Sequence, residues 1–277
     1  MATISAADVK RLRESTGVGM MDCKKALEEA NGDFEAAVEI LRKRGQKVAA
    51  KRADRDAKEG VIIAKATPDG RRAVLVEVNA ETDFVARNDD FVAYADRIAA
   101  LALEHGPADA DALNALSFDE RSTVEQASTD MTGKIGEKIG VRRVTTIDAP
   151  EGSRVVTYTH PGSRLAVLVL ASGGDSDEAA RDAALQVAGY NPVALSRDEV
   201  PAETKEKELE IGREQARNEG KPEAILDKIA QGKLERYYKD NVLLEQPFLK
   251  DATITVGEML KRAGVTVQRF VRYALGD

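Results

Sequence analysis

The sequence predicts an α+β protein in which a small N-terminal helical bundle precedes a core of two related halves, each a β-hairpin with a covering helix. Apolar residues recur at helical spacing through the first 45 or so positions, which indicates short helices. Farther along, two segments each place an apolar strand pattern on both sides of a turn that contains proline and glycine. Residues 73–76 and 166–169 are near copies, so we expect one scaffold used twice.

Composition limits the classes of function. With 277 residues, the chain is long enough for more than one domain. Charged residues make up 32% of it and aromatic residues only 4%, which favours a helix-rich protein with a charged surface over one with an aromatic-lined ligand pocket. The formal net charge of −7 disfavours nucleic-acid binding, because phosphate contacts need a concentrated basic face. We therefore expect a protein partner.

The number of cysteines and the length of the apolar runs indicate the cellular compartment of the protein. The single cysteine, Cys23, has no partner for an internal disulfide, and the first ten residues lack the apolar core of a signal peptide. The longest apolar run, residues 165–171, is too short to span a bilayer and is typical of a buried strand. These features predict a protein of the reducing cytoplasm, with no membrane contact, in which Cys23 is a packed thiol.

The N-terminal bundle is predicted from cap residues and apolar spacing. Ser5 can cap a first helix that Gly17 ends, Gly19 opens a second helix, and a third follows from Asp33. Residues 46–59 are rich in charge and alanine, which predicts a frayed helix that runs into a linker. We place the first domain boundary there. The expected domains are residues 1–55, 56–147 and 148–277.

Each half of the core begins with a predicted hairpin. The turn of the first hairpin contains Pro68, and the turn of the second contains Pro161. A helix follows each hairpin, from Asp89 in the first half and from about Asp177 in the second. The four predicted strands lie at residues 60–64, 72–78, 155–159 and 165–170.

Further elements complete the prediction. Two charged helices between residues 201 and 238, separated by Gly220 and Pro222, share a narrow apolar seam. We expect them to form an antiparallel helical hairpin inserted into the second half at about residues 198–239. The remaining helices are predicted at residues 108–116, 119–139 and 255–262, and the remaining strands at 141–144 and 265–275.

Phe84 is the most unusual position, because it lies between a strand pattern and a helix pattern. Thr82 or Asp83 can cap a short helical turn, and Asn88 or Asp89 can cap the helix that follows, which would leave Phe84 at a poorly buried tip. The side chain could fold back onto its own domain as a local staple. It could also enter a crevice of a partner, since aromatic side chains bury much apolar area at low entropy cost. We favour the second interpretation.

Two segments of the sequence resemble the elongation factor Ts family. One is Thr-Asp-Phe-Val-Ala-Arg-Asn at residues 82–88, after Glu-Val-Asn at 77–79, and the other is residues 16–27 followed by Asn-Gly-Asp at 31–33. The resemblance implies a guanine-nucleotide exchange factor that binds elongation factor Tu in its GDP-bound and nucleotide-free forms. It also implies a UBA-like N-terminal module and a coiled-coil insertion. Many members of the family continue beyond the last strand into a C-terminal helical module, and we expect no such module in this sequence.

The resemblance further implies which residues contact the partner. Four residues would disturb the Mg²⁺ site of elongation factor Tu, namely Thr82, Asp83, Phe84 and Val85. Other contacts are implied at Met20, Met21, Ile135, Gly136 and His160. From the residues alone, the two methionines could instead fill the core of the bundle. His160, like His105, could be an ordinary residue of a loop or helix end.

The sequence offers no recognisable catalytic spacing. It contains no GxxxxGK[ST], HExxH, GxSxG or CxxC pattern, so we expect no enzyme, no cofactor and no metal site. An alternative function is that of a helical adaptor that binds another protein through its N-terminal module. That alternative would leave residues 82–88 without a role. Because both related halves lie in one chain, a homodimer is not required to complete the fold.

Overall fold

The computed structural model describes residues 4–174 and 176–277. The N-terminal helices are α1 (Ala6–Thr16), α2 (Met20–Glu29) and α3 (Phe34–Arg52). The next elements are β1 (Glu59–Ala66), β2 (Arg72–Ala80), α4 (Asp83–Ala86), α5 (Asp89–His105), α6 (Ala110–Ala115), α7 (Val124–Ile135) and β3 (Gly140–Asp148). The last are β4 (Ser153–Thr159), β5 (Leu165–Gly173), α8 (Glu178–Tyr190), α9 (Ala202–Asn218), α10 (Leu226–Asn241), β6 (Pro247–Phe248), β7 (Asp251–Thr255), α11 (Val256–Arg262) and β8 (Val265–Ala274).

The predicted α+β class is confirmed, and both predicted β-hairpins are present. Two antiparallel three-stranded sheets form, with the strand orders β1-β2-β3 and β4-β5-β8. In the first sheet Ile63 lies opposite Val76, and in the second Thr157 lies opposite Leu168. The near-copied segments therefore occupy the middle strand of each sheet.

The two sheets lie between layers of helices, because their middle strands are apolar on both faces. Val74 and Val76 of β2 face a cluster with α5 and α7, and Val167 of β5 faces the equivalent cluster with α8 and α11. Between them, Leu75 and Leu168 point the other way into a third cluster that both sheets share. This alternation is the two-residue period of a strand, and it repeats in both copies.

The N-terminal helices begin and end where the cap residues predict. Ser5 and Asp8 form a reciprocal capping box at α1, and Gly17 ends that helix in the left-handed conformation. Cys23 is fully buried among the apolar residues of the bundle, as expected for a packed thiol.

Helix α3 departs from the prediction, because it does not fray after Gly45. It continues regularly to Arg52 and packs against α7, and only residues 53–58 connect it to β1. The physical reason is tertiary support: Gly45 and Gly133 allow the two backbones to approach closely, and a Cβ at Gly133 would lie 2.4 Å from the Gly45 Cα. Packing against a neighbour stabilises a helix whose own apolar periodicity is weak.

The helix predicted at residues 119–139 is too long at both ends. Asp119 accepts hydrogen bonds from the backbone of Arg121 and Ser122 in a turn, and Thr123 caps α7 instead. Gly136 then ends the helix with φ of 84°. The strand predicted at residues 141–144 is longer, and the short antiparallel pair β6 and β7 was not predicted.

The helical hairpin is present as α9 and α10. The two helices pack against each other and approach closely at Gly212, where an added Cβ would lie 2.9 Å from the Ala230 Cα. At its base, Leu234 and Tyr238 pack with Val200 and other apolar residues of the second half. Among the residues that the structure describes, no helix has the length and apolarity to cross a membrane.

Candidate partner-binding site

Residues 82–88, which we call the knuckle, connect β2 to α5 through the single helical turn α4. The hydroxyl of Thr82 accepts a hydrogen bond from the backbone N–H of Val85 at 3.4 Å, so Thr82 is the cap of this turn. The side chain of Asn88 accepts from the N–H of Asp90 at 2.9 Å and caps α5. Each end of the knuckle is therefore fixed by a side-chain cap.

Phe84 projects from the knuckle into solvent. Its side chain is 84% exposed, whereas Ala86 is buried and Val85 packs against the apolar cluster of the first sheet. The inner face of the knuckle is thus anchored in the core, and its outer face presents a large aromatic ring. The interpretation of Phe84 as a folded-back staple is wrong.

A charged pair flanks the exposed ring. The carboxylate of Asp83 and the guanidinium of Arg87 lie 2.9 Å apart, one helical turn from each other, and both side chains reach solvent. At such exposure the pair contributes little stability. It does leave an acidic group beside an exposed aromatic ring at the tip.

The knuckle is also tied to the segment that follows α7. Glu137 accepts two hydrogen bonds from Thr82, one from its backbone N–H at 3.0 Å and one from its hydroxyl at 2.8 Å. Next to it, the carboxylate of Glu81 accepts from the backbone N–H of Lys138 at 2.7 Å. Each segment therefore supplies one carboxylate acceptor and one residue that donates to the acceptor of the other segment.

The end of α3 joins the same network. The guanidinium of Arg52 donates to both carboxylate oxygens of Glu81, at 3.0 and 2.7 Å. The ammonium of Lys138 donates to the carbonyls of Ala53 and Arg55, just beyond the last turn of α3, at 2.6 and 3.1 Å. A cation at that position also interacts favourably with the negative end of the helix dipole.

A crevice of about 260 Å³ opens beside Phe84, bounded by Gly17 and by Ile135. Lys134 and Asp90 also line it, and the ammonium of Lys134 lies 2.9 Å from the carboxylate of Asp90. That hydrogen bond lowers the pKa of Asp90 below its ordinary value. A larger crevice of about 460 Å³ is lined by residues of the N-terminal helices and of α7.

The structure places Met20 and Met21 on the first turn of α2, with their side chains 43% and 64% exposed. The alternative in which both methionines fill the core of the bundle is therefore wrong. Ile135 is half-buried at the end of α7, and Gly136 is open, since no atom lies within 4 Å of the position that a Cβ would take.

His160 lies in the exposed turn between β4 and β5, where its Nδ1 is 3.0 Å from the hydroxyl of Tyr158. This turn rests against the first sheet, because the backbone N–H of Ile62 donates to the carbonyl of Ser163 at 2.7 Å. Its neighbour Arg164 pairs with Glu59, which raises the pKa of the guanidinium, and the charge of Asp83 adds to that effect. The histidine turn therefore lies on the side of the molecule that carries the knuckle.

Two features near the site were not predicted. Glu77 is fully buried and accepts from Arg142 at 3.1 Å and from Arg143 at 2.6 Å, while the amide of Asn79 donates to it at 3.0 Å. The alternation of polar Glu77 and Asn79 with valines in a buried strand is a signal that could have indicated this. The bonds from Glu137 to the knuckle span 55 residues and have no comparable local signal.

No group of three or more histidine, cysteine, aspartate or glutamate side chains is arranged to hold a metal ion within residues 4–174 and 176–277. The groups gathered around the knuckle are a protruding aromatic ring, small exposed apolar surfaces and surface ion pairs. Such an arrangement can bind a protein surface through a few buried anchors.

Comparison with known proteins gives consistent matches. A family model described as elongation factor TS matches residues 81–277. The elongation factor Ts of Chloroherpeton thalassium is 50% identical over 289 residues, and that of Prosthecochloris aestuarii is 50% identical over 288 residues, with 100% of both chains covered in each case. The elongation factor Ts of Alkalilimnicola ehrlichii is 50% identical over 274 residues, which cover 99% of this chain and 92% of the relative.

Proposed function

Because the chain belongs to the elongation factor Ts family, we propose that it is the guanine-nucleotide exchange factor of elongation factor Tu in protein synthesis and that Phe84 is its principal wedge. The factor binds elongation factor Tu in the GDP-bound form and, more tightly, in the nucleotide-free form. Reciprocity of coupled binding then requires that it weaken nucleotide binding by the same factor. GDP leaves, GTP enters, and the factor is released.

The observation that carries the proposal is the exposure of Phe84 on a rigid turn. A phenylalanine that is 84% exposed contributes little to the stability of its own chain, yet the turn that presents it is capped at both ends. The backbone turn that presents the ring is capped before binding, so insertion of the ring costs little further backbone entropy. It fits the role of a desolvated anchor at the centre of an interface.

The proposed mechanism uses four residues of the knuckle. A GTPase holds GDP tightly because Mg²⁺ and P-loop donors neutralise the phosphates. Asp83 and Phe84 enter between helices of elongation factor Tu. Thr82 and Val85 hold the turn that presents them, Thr82 as its cap and Val85 through its contact with the core. The shift of those helices displaces the groups that orient the Mg²⁺ water shell. The metal and phosphate contacts weaken, and GDP dissociates.

Further contacts are proposed on three other elements. Met20 and Met21 offer an adaptable apolar surface on the N-terminal helices, and methionine suits such a surface. Ile135 and Gly136 lie next to the knuckle, and Gly136 has open space where a partner backbone can approach. His160 is exposed at the tip of a turn on the same side. These contacts act in binding and not as catalysts.

We also propose how the chain is divided. Residues 1–55 form a UBA-like module, 56–147 form the half of the core that carries the knuckle, and 148–277 form the other half with the helical hairpin as an insertion. The near-identical packing of the middle strands supports two related halves, and the separate apolar cluster of the N-terminal helices supports a module. We further propose that the factor acts in the cytoplasm and that a homodimer is not required for its fold.

Release of a fluorescent GDP analogue from elongation factor Tu tests the proposal. In a stopped-flow instrument, the release rate should rise with the concentration of this protein and level off, and added Mg²⁺ should oppose the effect. An adaptor that binds through its N-terminal module alone would leave the release rate unchanged. That outcome would overturn the proposed function.

A further inference from the structure

Glu137 holds the residue from which the knuckle begins. One carboxylate oxygen accepts from the backbone N–H of Thr82 at 3.0 Å, and the other accepts from its hydroxyl at 2.8 Å. Hydrogen bonds to an ionised acceptor are about twice as strong as neutral ones, and two of them from one residue fix an orientation as well as a distance. Both groups are half-buried, so water competes with these bonds only in part.

The bond to the hydroxyl determines the cap of the knuckle. Because the Thr82 hydroxyl donates its only proton to Glu137, its lone pairs remain free to accept from the N–H of Val85. The direction of the first turn of α4, and with it the direction of Phe84, therefore depends on Glu137. The N–H of Thr82 lies beyond the end of β2 and has no partner in the sheet ladder, so Glu137 also satisfies that donor.

Glu137 is itself fixed in position. It follows Gly136, which ends α7, and the backbone N–H of the next residue, Lys138, is held by Glu81. The segment after α7 and the start of the knuckle are therefore joined by bonds in both directions. The knuckle has one orientation relative to α7 as long as these bonds persist.

We propose that Glu137 is a positioning residue for nucleotide exchange, which acts by holding Phe84 in the orientation that enters the partner. This inference rests on the proposed function of the knuckle. Without the carboxylate, the knuckle would sample several orientations, and only a fraction of encounters would present Phe84 correctly. The other contacts would still form, so the loss would fall on the maximal exchange rate and not on the concentration of factor needed to reach it.

The test compares Glu137→Gln with a matched control. A glutamine has an NH2 donor in place of one carboxylate oxygen. In the same orientation it can therefore accept only one of the two bonds from Thr82, which reach different oxygens of Glu137. The control is Glu199→Gln, because Glu199 also accepts from a backbone N–H, that of Leu195 at 2.9 Å, but lies in the second half of the core. Stimulated GDP release is measured over a range of factor concentrations for both variants, together with their melting temperatures.

Loss of one hydrogen bond to a charged group predicts a maximal rate reduced by roughly tenfold for Glu137→Gln. Its half-saturating concentration should change by less than about threefold, on the same reasoning that the other contacts remain. Glu199→Gln should exchange like the unaltered protein. Equal rates for Glu137→Gln and the unaltered protein would overturn the positioning role.

A second background separates positioning from general structural damage. If Glu137 acts through Phe84, then adding Glu137→Gln to Phe84→Ala should slow exchange by less than about twofold more, because coupled residues are not additive. A further tenfold loss in that background would show that Glu137 acts independently of Phe84, and would overturn the inference. If the unaltered protein failed to promote GDP release from elongation factor Tu, the proposed function itself would be refuted. The two failures are therefore distinguishable.

Discussion

Gly45 of α3 and Gly133 of α7 bring two helix backbones into direct contact, so closely that a Cβ at Gly133 would lie 2.4 Å from the Gly45 Cα. This crossing seats the N-terminal helices on the core. It also directs the end of α3 toward Glu81, and the guanidinium of Arg52, in the last turn of the helix, donates hydrogen bonds to the carboxylate of Glu81. The N-terminal helices and the knuckle are therefore connected through two close contacts and not only through the chain.

The first prediction concerns this crossing. Gly133→Ala should destabilise the protein by about 1–3 kcal/mol, because the added methyl group overlaps a backbone that cannot move without separating the helices. Urea unfolding measures the difference. The matched control is Gly232→Ala in α10, which is exposed and has no atom within 4 Å of the added Cβ.

In the control, replacing a helical glycine by alanine should stabilise the protein by roughly 0.5–1 kcal/mol. The same chemical change, glycine to alanine, should therefore lower the free energy of unfolding at Gly133 and raise it at Gly232. If Gly133→Ala were as stable as the unaltered protein, the close approach of α3 and α7 would not exist in solution.

Local patterns were enough to predict most of the fold. Cap residues such as Ser5 and Asp33 mark helix ends because their hydrogen bonds reach only three residues along the chain. The two hairpins follow from strand alternation and turn residues. The knuckle could be predicted for the same reason, since Thr82 and Asn88 cap adjacent helices within seven residues.

The parts that were not predicted depend on distant residues. The regular end of α3 needs Gly133, which is 88 positions after Gly45 in the sequence. The hydrogen bonds of Glu137 join segments 55 residues apart, and a glutamate in a polar segment resembles any solvated acid until its partner is known. The helix predicted from residue 119 was too long because Asp119 can cap either a turn or a helix, and only the tertiary structure decides between them.

The second prediction concerns the helical hairpin. A variant in which residues 211–232 are replaced by a short Gly-Ser turn should melt within about 3 °C of the unaltered protein, because it keeps Leu209 and Leu234 at the base of the hairpin. A longer replacement of residues 205–234 removes both leucines. Loss of Leu234 alone should cost about 2–5 kcal/mol, so the melting temperature should fall by more than about 5 °C.

Thermal denaturation followed by circular dichroism distinguishes the two variants. If the shorter replacement were as damaging as the longer one, the outer part of the hairpin would have to pack on the core. The longer replacement serves as the positive control for a packed base. GDP release by the shorter variant would then show whether the projecting part contributes to partner binding.

The third prediction is an alkaline pH dependence that comes from Tyr94. Burial raises the pKa of its phenol to about 12 from an ordinary value of 10.0, while the hydrogen bond with Ser128 opposes the shift. The neutral phenol is favoured in the folded protein, whereas the unfolded chain ionises first. The contribution to stability is therefore complete below pH 10 and is lost as the pH rises toward 12.

The Tyr94→Phe variant cannot ionise at this position. It should be less stable than the unaltered protein at pH 8 by about 1 kcal/mol, for the lost hydrogen bond. Between pH 9.5 and pH 11.5, however, the unaltered protein should lose roughly 2 kcal/mol more than the variant. Tyr190→Phe, at an exposed side chain, should keep the alkaline slope of the unaltered protein, and parallel slopes for Tyr94→Phe would contradict the prediction.

The last prediction separates the two roles that a phenylalanine can have. A buried phenylalanine costs about 3–5 kcal/mol when it is truncated to alanine, but Phe84 is exposed, so Phe84→Ala should melt almost unchanged. If Phe84 is a desolvated anchor, its removal should destabilise the transition state for exchange by roughly 2–4 kcal/mol. Stimulated GDP release would then be slower by about 30- to 1,000-fold. Phe84→Leu, which keeps apolar bulk, should retain part of the activity.

Added Mg²⁺ should oppose the unaltered factor more than Phe84→Ala, because only the intact wedge disturbs the metal site of elongation factor Tu. If Phe84→Ala promoted exchange at the unaltered rate, the wedge mechanism would be wrong even with an unchanged melting curve.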